Sequence, residues 1–375
     1  MRNLNINTTH FFGITLFLFT LWDFYFGEYA QGYRLFEIYG FIFLIIYEAF
    51  VFFNLKKISL SKIFRQNSTY LYIFALVFFI GGLHGIANDW NNFFKPCLGI
   101  CIGLLTFLFF YLREFKINIL IFYLSALIYI HVFLLIIQCI VFYAHNYLIN
   151  FHELIGVDPR VFGEIFRPSG LFQEPAHFAL FTFMLFSLRY QIIRKFDLVG
   201  YIALFGMLLS FSFFSYLTVI IYVAFIFRKN IKLVLLFALF LFILVSTPNI
   251  INIEGLSYIL DRVNNFSNDN SFVTRYSGLE NILVLTNNFP YSIVGVGLTN
   301  DYLILGSSGL AFILNAIGLL GFSILIWDLW RLAKKGNRLN FIVIFFLIML
   351  ATPLWTSLFF WAWIGLMLNP RCYLD

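Results

Sequence analysis

Charge is what this sequence has least of. Only 11% of its 375 residues are Asp, Glu, Lys or Arg, against roughly 25% in an ordinary soluble domain. No stretch therefore carries enough polar surface to fold as a separate soluble domain. Cysteine is scarce as well. Of Cys97, Cys101, Cys139 and Cys372, three lie in apolar runs and one near the C-terminus, which argues against a disulfide framework. Cys97 and Cys101 share a helix face, but two thiols without a nearby His or further Cys make a poor zinc site, and packing accounts for them. Paired aspartates that would suggest magnesium are missing too, since Asp269 and Asp301 are scattered. No cleavable leader is visible: the first apolar run follows Met1–His10, has no small-residue cleavage site and contains Asp23, so it reads as a first membrane span.

What is there is apolar. Hydrophobic residues make up 62% of the chain, 53 of them Phe, and the mean hydropathy is +0.90. Runs of the length that a bilayer demands, about 17–25 residues, recur along almost the whole sequence. The expectation is an all-α polytopic membrane protein, a single integral membrane domain over residues 1–375. Spans fall near 11–27, 34–53, 70–87, 93–112, 117–143, 175–193, 197–210, 213–228, 231–247, 305–327, 339–352 and 354–369. Two pairs are tight hairpins, cut by SFSFFS at 210–215 and TPLWTS at 352–357.

The formal net charge of +6 does not point to nucleic acid, because the basic residues are spread over short loops. Their placement sets an orientation instead. With the N-terminus in the cytoplasm, 18 Lys and Arg fall inside and 6 outside. That asymmetry supports twelve spans and two cytoplasmic termini. Four of the outside residues, Arg160, Arg167, Arg262 and Arg275, lie in the two long outer loops, 144–174 and 248–304. They run against the orientation bias, so holding an anion is a candidate role; anchoring to lipid headgroups is the plainer one.

The first outer loop ends in RPSGLFQEPAHFAL, residues 167–180. Phe151–Val157 reads as a short interfacial helix, and Asp158-Pro159 and Pro168-Ser169-Gly170 as turns. Glu174-Pro175 opens a helix, with proline at its first position. Glu174 and His177 are three apart and project to one side of the first turn, at a helix end that attracts anions. An interfacial Arg167–Glu174 ion pair with His177 as a belt residue is the alternative. In the second outer loop, Phe272, Tyr276, Leu279, Leu283 and Thr286 recur at helical spacing, with Arg275, Glu280 and Asn287 off that stripe. This predicts an amphipathic helix over 272–288 lying on the outer surface. Gly295-Val296-Gly297 allows a tight turn and close backbone approach, either to return the chain to the membrane or to cradle a phosphate.

Charges also fall within the spans. Each costs roughly 2.5–3.5 kcal/mol when central. Asp23 and Glu37 are expected near the outer ends and Glu48 near the inner end, all within reach of water. His84 and His131 lie in the third and fifth spans, and the deep His131 reads as a buried, neutral, hydrogen-bonded side chain.

Three motifs in order, RPSGLFQEPAHFAL, TRYSGLENILVLTNNFPYSIVGVGLTN (274–300) and SSGLAFILNAIGLLGF (307–322), resemble the Wzy-type polymerases, the bacterial O-antigen and capsule repeat-unit polymerases. The resemblance covers the middle and C-terminal two thirds; residues 1–140 match only in hydropathy. It implies a GT-C-like, metal-independent glycosyltransferase of the bacterial cytoplasmic (inner) membrane, with no cofactor. Such an enzyme joins oligosaccharide units carried on undecaprenyl diphosphate at the outer face. Its partners are those lipid-linked units, the bilayer, and further a chain-length regulator and a flippase. The departing diphosphate needs fixed cations, and the planar, always protonated guanidinium suits it. Arg167 and Arg275 match the family's outer-loop arginines best; Arg160 and Arg262 belong to the same positive surface. Glu174 is the first candidate for the base that takes the acceptor hydroxyl's proton and His177 the second; Glu174 orienting Arg167 stays open.

Two alternatives stand beside this reading. An O-antigen ligase does the same chemistry on another acceptor, but that family carries a functional His in its second large outer loop, and residues 248–304 contain none. A flippase or other transporter would show related halves with a midplane site; no internal repeat is found, and the polar residues gather at one face.

Overall fold

The computed structural model describes residues 2–21, 23–26, 33–55, 90–151, 161–162, 165–226, 293, 295, 308–335, 340–350, 354–355, 357–369 and 371–372. Among these lie ten helices: α1 (Arg2–Thr20), α2 (Leu35–Leu55), α3 (Trp90–Leu112), α4 (Ile117–His145), α5 (Pro175–Ile193), α6 (Leu198–Leu209), α7 (Phe213–Ile226), α8 (Gly309–Lys335), α9 (Asn340–Met349) and α10 (Leu358–Leu368). Two antiparallel ladders of two-residue strands accompany them, β1 (Tyr25–Phe26) with β2 (Tyr33–Arg34) and β3 (Val161–Phe162) with β4 (Ile165–Phe166). By length and composition, α4, α5 and α8 are long and apolar enough to cross a membrane. The protein is thus a helical, membrane-embedded chain. The spans expected near 70–87 and 231–247, with His84, and the helix expected over 272–288 lie outside the described residues.

The chain forms two compact units. The first comprises Met1–Ile38, Phe115–Asp269 and Tyr373–Asp375; the second comprises Tyr39–Glu114 and Asn270–Cys372.

In the first unit α5 packs against α4, α6 and α7, while α1 lies on α4. The four successive residues Phe178, Ala179, Leu180 and Phe181 are all 0% exposed. A helix that is apolar all round is one enclosed on every side. Each terminus is closed by its own sequence. Asn146 ends α4 and Arg194 ends α5 in the left-handed conformation, their N–H groups donating to Phe142 O and Tyr190 O at 2.8 Å, as helix C-caps commonly do. Asp197, in the connection between α5 and α6, accepts from Gly200 N at 3.2 Å as the α6 N-cap. Arg189 donates to both Asp197 carboxylate oxygens at 2.6 Å and to Ser125 Oγ on α4 at 2.8 Å. Hydrogen bonding from Arg189 holds the Asp197 carboxyl below the usual range.

The break within SFSFFS falls at Ser210–Ser212, between α6 and α7. Ser210 Oγ donates to Met207 O and Ser215 Oγ to Ser212 O, both at 2.6 Å. These hydroxyls occupy carbonyls at the helix ends, where lipid offers no replacement partner. The first helix departs from expectation. It runs Arg2–Thr20 rather than 11–27, and Asp23 stands in a turn beyond it, 0% exposed. Hydropathy alone extends the span, whereas the buried carboxylate ends it.

In the second unit α10 packs against α3 and α9 against α8. Gly365 makes the first pairing close: a Cβ there would stand 2.8 Å from Phe107 O and 2.9 Å from Phe110 Cβ. Small residues at such crossings let helices approach in an apolar medium, where packing drives association. Asn369, just past α10, donates to Phe110 O at 2.9 Å and Arg113 O at 2.7 Å, satisfying the end of α3. Glu48 does not reach water as expected. It is 7% exposed and accepts from Arg113 Nε at 2.9 Å and from Arg113 Nη2, because a carboxylate at that depth is tolerated only when paired.

The span expected at 305–327 is longer and is interrupted at Gly318 (φ +64°, ψ −177°). Gly295 (φ +81°) lies back to back with it; a Cβ on Gly295 would stand 2.5 Å from Ala316 O and 2.6 Å from Gly318 N. The close backbone approach expected of Gly295 is present, and only glycine fits either side. The TPLWTS break separates α9 from α10, with Trp355 Nε1 donating to Gly309 O at 3.0 Å and Trp361 Nε1 to Trp355 O at 2.7 Å.

Replacing Gly365 by Val overpacks the α3–α10 crossing and lowers stability by about 1–3 kcal/mol. Thermal unfolding in detergent measures this; an unchanged midpoint contradicts the close approach.

Candidate functional site

The segment that carries the sequence motif is folded against α4 rather than lying open. After the β3–β4 ladder, Tyr143 Oη donates to Phe166 O at 2.9 Å. Gln138 of α4 then pins the chain twice over. Its Oε1 accepts from Ser169 N at 3.1 Å and Gly170 N at 2.7 Å, and its Nε2 donates to Ile149 O at 3.1 Å. Ser169 O accepts from Phe172 N at 3.1 Å to close the turn. Gly170 adopts φ +60°, and a Cβ there would come within 3.3 Å of His131 O. The Phe172 ring lies 5.2 Å from the His131 ring and 5.0 Å from Phe181.

His131 therefore differs from expectation. It is fully buried, yet neither ring nitrogen has a hydrogen-bond partner among the described residues. Its ring lies tilted by 39° against the ring of Phe172.

Arg167 differs as well. It was expected on a positive outer surface, but only 9% of it is exposed, because the Gln138 pin holds its neighbours Ser169 and Gly170 against α4. Glu174 is the N-cap of α5 in extended backbone (φ −123°, ψ 138°), with Pro175 following at the start of the helix, as the sequence predicts. Its carbonyl accepts from His177 N at 3.0 Å and Phe178 N at 3.2 Å. Its carboxylate makes no cap bond to the helix's own amides.

The turn before α5 closes onto a residue from the other end of the unit. Gln173 N donates to Asp23 Oδ2 at 3.0 Å, and Gln173 Nε2 donates to Asp23 O at 3.0 Å. His177 Nδ1 stands 2.9 Å from the same Oδ2. Asp23 Oδ1 is buried and has no hydrogen-bond partner among the described residues. The β1–β2 hairpin continues the cluster, because its pairing of Tyr25 with Arg34 returns the chain to Asp23. Leu35 N donates to Phe24 O at 3.2 Å, and the Phe24 and Phe36 rings meet at 5.6 Å. Arg34 pairs with Glu37 at 3.6 Å. Both Arg34 and Glu174 lie near enough to act on the His177 ring through their charges.

Of the sequence candidates, Arg167, Glu174 and His177 are thus carried by one pinned segment. Arg160, Arg262 and Arg275 lie outside the described residues, as does the expected helix after Phe151. Asp23, Gln173 and Arg34 were missed as site residues. Asp23 did carry a signal, being a charge inside an apolar run, but it was expected to reach water. Gln173 stands directly before Glu174, within the motif itself. Among the described residues no group of three His, Cys, Asp or Glu is placed to hold a metal ion.

Chemically, the cluster combines a buried carboxylate, an imidazole bound to it, a second carboxylate at a helix N-terminus and the guanidinium of Arg34, with Arg167 carried on the same segment. That set can move a proton and hold an anion. No protein-family model and no curated protein matches this chain.

Replacing Gln138 by Leu removes three hydrogen bonds from the 149–170 loop. At about 1 kcal/mol net each, the loop opens more often. Maleimide labelling of Ser169→Cys in an otherwise cysteine-free chain should then rise about tenfold or more; an unchanged rate contradicts the pinning.

Proposed function

We propose that the protein polymerises lipid-diphosphate-linked oligosaccharide repeat units at the outer face of the bacterial cytoplasmic membrane. In this reading the chain has about twelve spans in a GT-C-like arrangement, with both termini in the cytoplasm. The observation that carries it is the contact of His177 with Asp23, beside Glu174 at the N-terminal end of α5, on the same pinned segment that buries Arg167. The resemblance of the surrounding motifs to Wzy-type polymerases supplies the substrate class.

The acceptor sugar's hydroxyl oxygen attacks the anomeric carbon of the growing chain, and a new glycosidic bond forms. The bond from that carbon to the lipid diphosphate breaks, and its electron pair leaves with the diphosphate. The hydroxyl proton passes to Glu174 or His177. Arg167, together with Arg275 of the second outer loop, meets the charge that develops on the diphosphate. A guanidinium excluded from water is worth more there than one at the surface, because no reorganising solvent competes with it.

In cells that lack the chromosomal gene and carry a plasmid copy, Arg167→Ala should abolish long-chain surface polysaccharide on a gel while the membrane level of the protein holds. Arg167→Lys should restore little, because the forked geometry is lost. Loss of a single such donor costs about 10²–10³ in rate. Normal chain length in Arg167→Ala overturns the role. Unattached long chains in the deletion strain indicate a ligase instead, and accumulated inward-facing lipid-linked units a flippase.

A further inference from the structure

We infer that Asp23 is a positioning residue that makes His177, rather than Glu174, the group that takes the acceptor proton. The assignment of the proton rests on the glycosyl-transfer reading above; the geometry does not.

The argument begins at one oxygen. Asp23 Oδ2 accepts the Gln173 backbone N–H at 3.0 Å. A carboxylate has no proton to give, so with Asp23 in that form His177 Nδ1, 2.9 Å from the same atom, is the donor. An imidazole that donates through Nδ1 presents its lone pair at Nε2 when neutral, on the far side of the ring. Asp23 thereby fixes both the tautomer and the direction in which the ring can accept a proton.

The carboxylate is itself held. Gln173 grips Asp23 from two sides, through its backbone N–H to Oδ2 and its side-chain amide to the Asp23 carbonyl. Asp23 is 0% exposed. The β1–β2 hairpin fixes the chain that follows it, and Pro175 fixes the start of the helix that carries His177. A carboxylate serving only to tie these segments together would use both oxygens, because a buried polar atom without a partner is costly. Asp23 places two donors on Oδ2 and leaves Oδ1 with none among the described residues. Such incomplete satisfaction is expected where orientation outweighs stability. Glu174 lies at the N-cap of α5, a position where the helix dipole favours negative charge over a proton-carrying neutral group.

Two measurements test this. The first compares polymerisation of lipid-linked repeat units in proteoliposomes by wild type, Asp23→Asn, His177→Gln and the double variant. Asp23→Asn should lower kcat about 100-fold or more with KM little changed. In the His177→Gln background the same change should cost less than about threefold, because residues that act as a unit are not additive. Full additivity, or a raised KM with kcat intact, overturns the inference. The second is ¹⁵N-histidine NMR in nanodiscs, with His177 assigned by difference from His177→Gln. Wild type should show a proton on Nδ1 and a bare Nε2, and Asp23→Asn should change that tautomer. A proton on Nε2 in wild type, or the same tautomer in both proteins, overturns it. Should Asp23→Asn not accumulate, the wild-type spectrum decides. Should the wild type make no polymer, the glycosyl-transfer reading fails while the tautomer still tests Asp23.

Discussion

A carboxylate withdrawn from water has to be met by donors, and at Asp23 this requirement organises one end of the first unit. Isolated burial of such a group costs several kcal/mol. The donors come from Gln173 and His177, 150 and 154 residues further along the chain. To deliver them, the turn before α5 must be tight, the helix must start at Pro175, and the preceding loop must stay folded onto α4. Gln138 secures the loop and Gly170 permits the close approach. The first ladder serves the same end, since its pairing of Tyr25 with Arg34 returns the chain towards Asp23. The site is thus a consequence of how one buried charge is satisfied.

The same logic runs through the rest of the described chain. Apolar side chains are so abundant that burial alone selects no unique arrangement, and the few polar groups supply the specification. Arg189 ties α4 to the α5–α6 connection through Ser125 and Asp197. Glu48 and Arg113 meet within the second unit, and Asn369 answers the carbonyls at the end of α3. In a medium without competing water each such pairing is strongly directional. Glycine supplies the complementary device, admitting backbone where any Cβ would collide, at Gly365 against α3 and at Gly318 against Gly295.

Local pattern was legible and distant partnership was not. Apolar length located α3, α4 and α5 to within a few residues. Glu174-Pro175 marked a helix start, and the serine-rich and TPLWTS stretches marked two breaks, because each of these features acts on the chain within one or two turns. The early end of α1, the buried state of Glu48, the interruption at Gly318 and the enclosure of Arg167 all depend on residues remote in sequence. Hydropathy counts greasy residues; it does not know that Asp23 has a histidine waiting for it. Of the site, the motif 167–180 was visible as a unit, while the half contributed by residues 23–37 was visible only as scattered charges. The aromatic environment of His131 was equally hidden, since Phe172 reaches it only after the loop folds back.

The central claim is that the cluster at the α5 N-terminus transfers glycosyl chains from a lipid diphosphate. The most direct test supplies purified protein in proteoliposomes with radiolabelled lipid-linked repeat units and follows both products. Glycosyl transfer predicts a ladder of oligomers with one lipid diphosphate released for each linkage formed. Label that crosses the bilayer or remains as single units, with no diphosphate released, contradicts it.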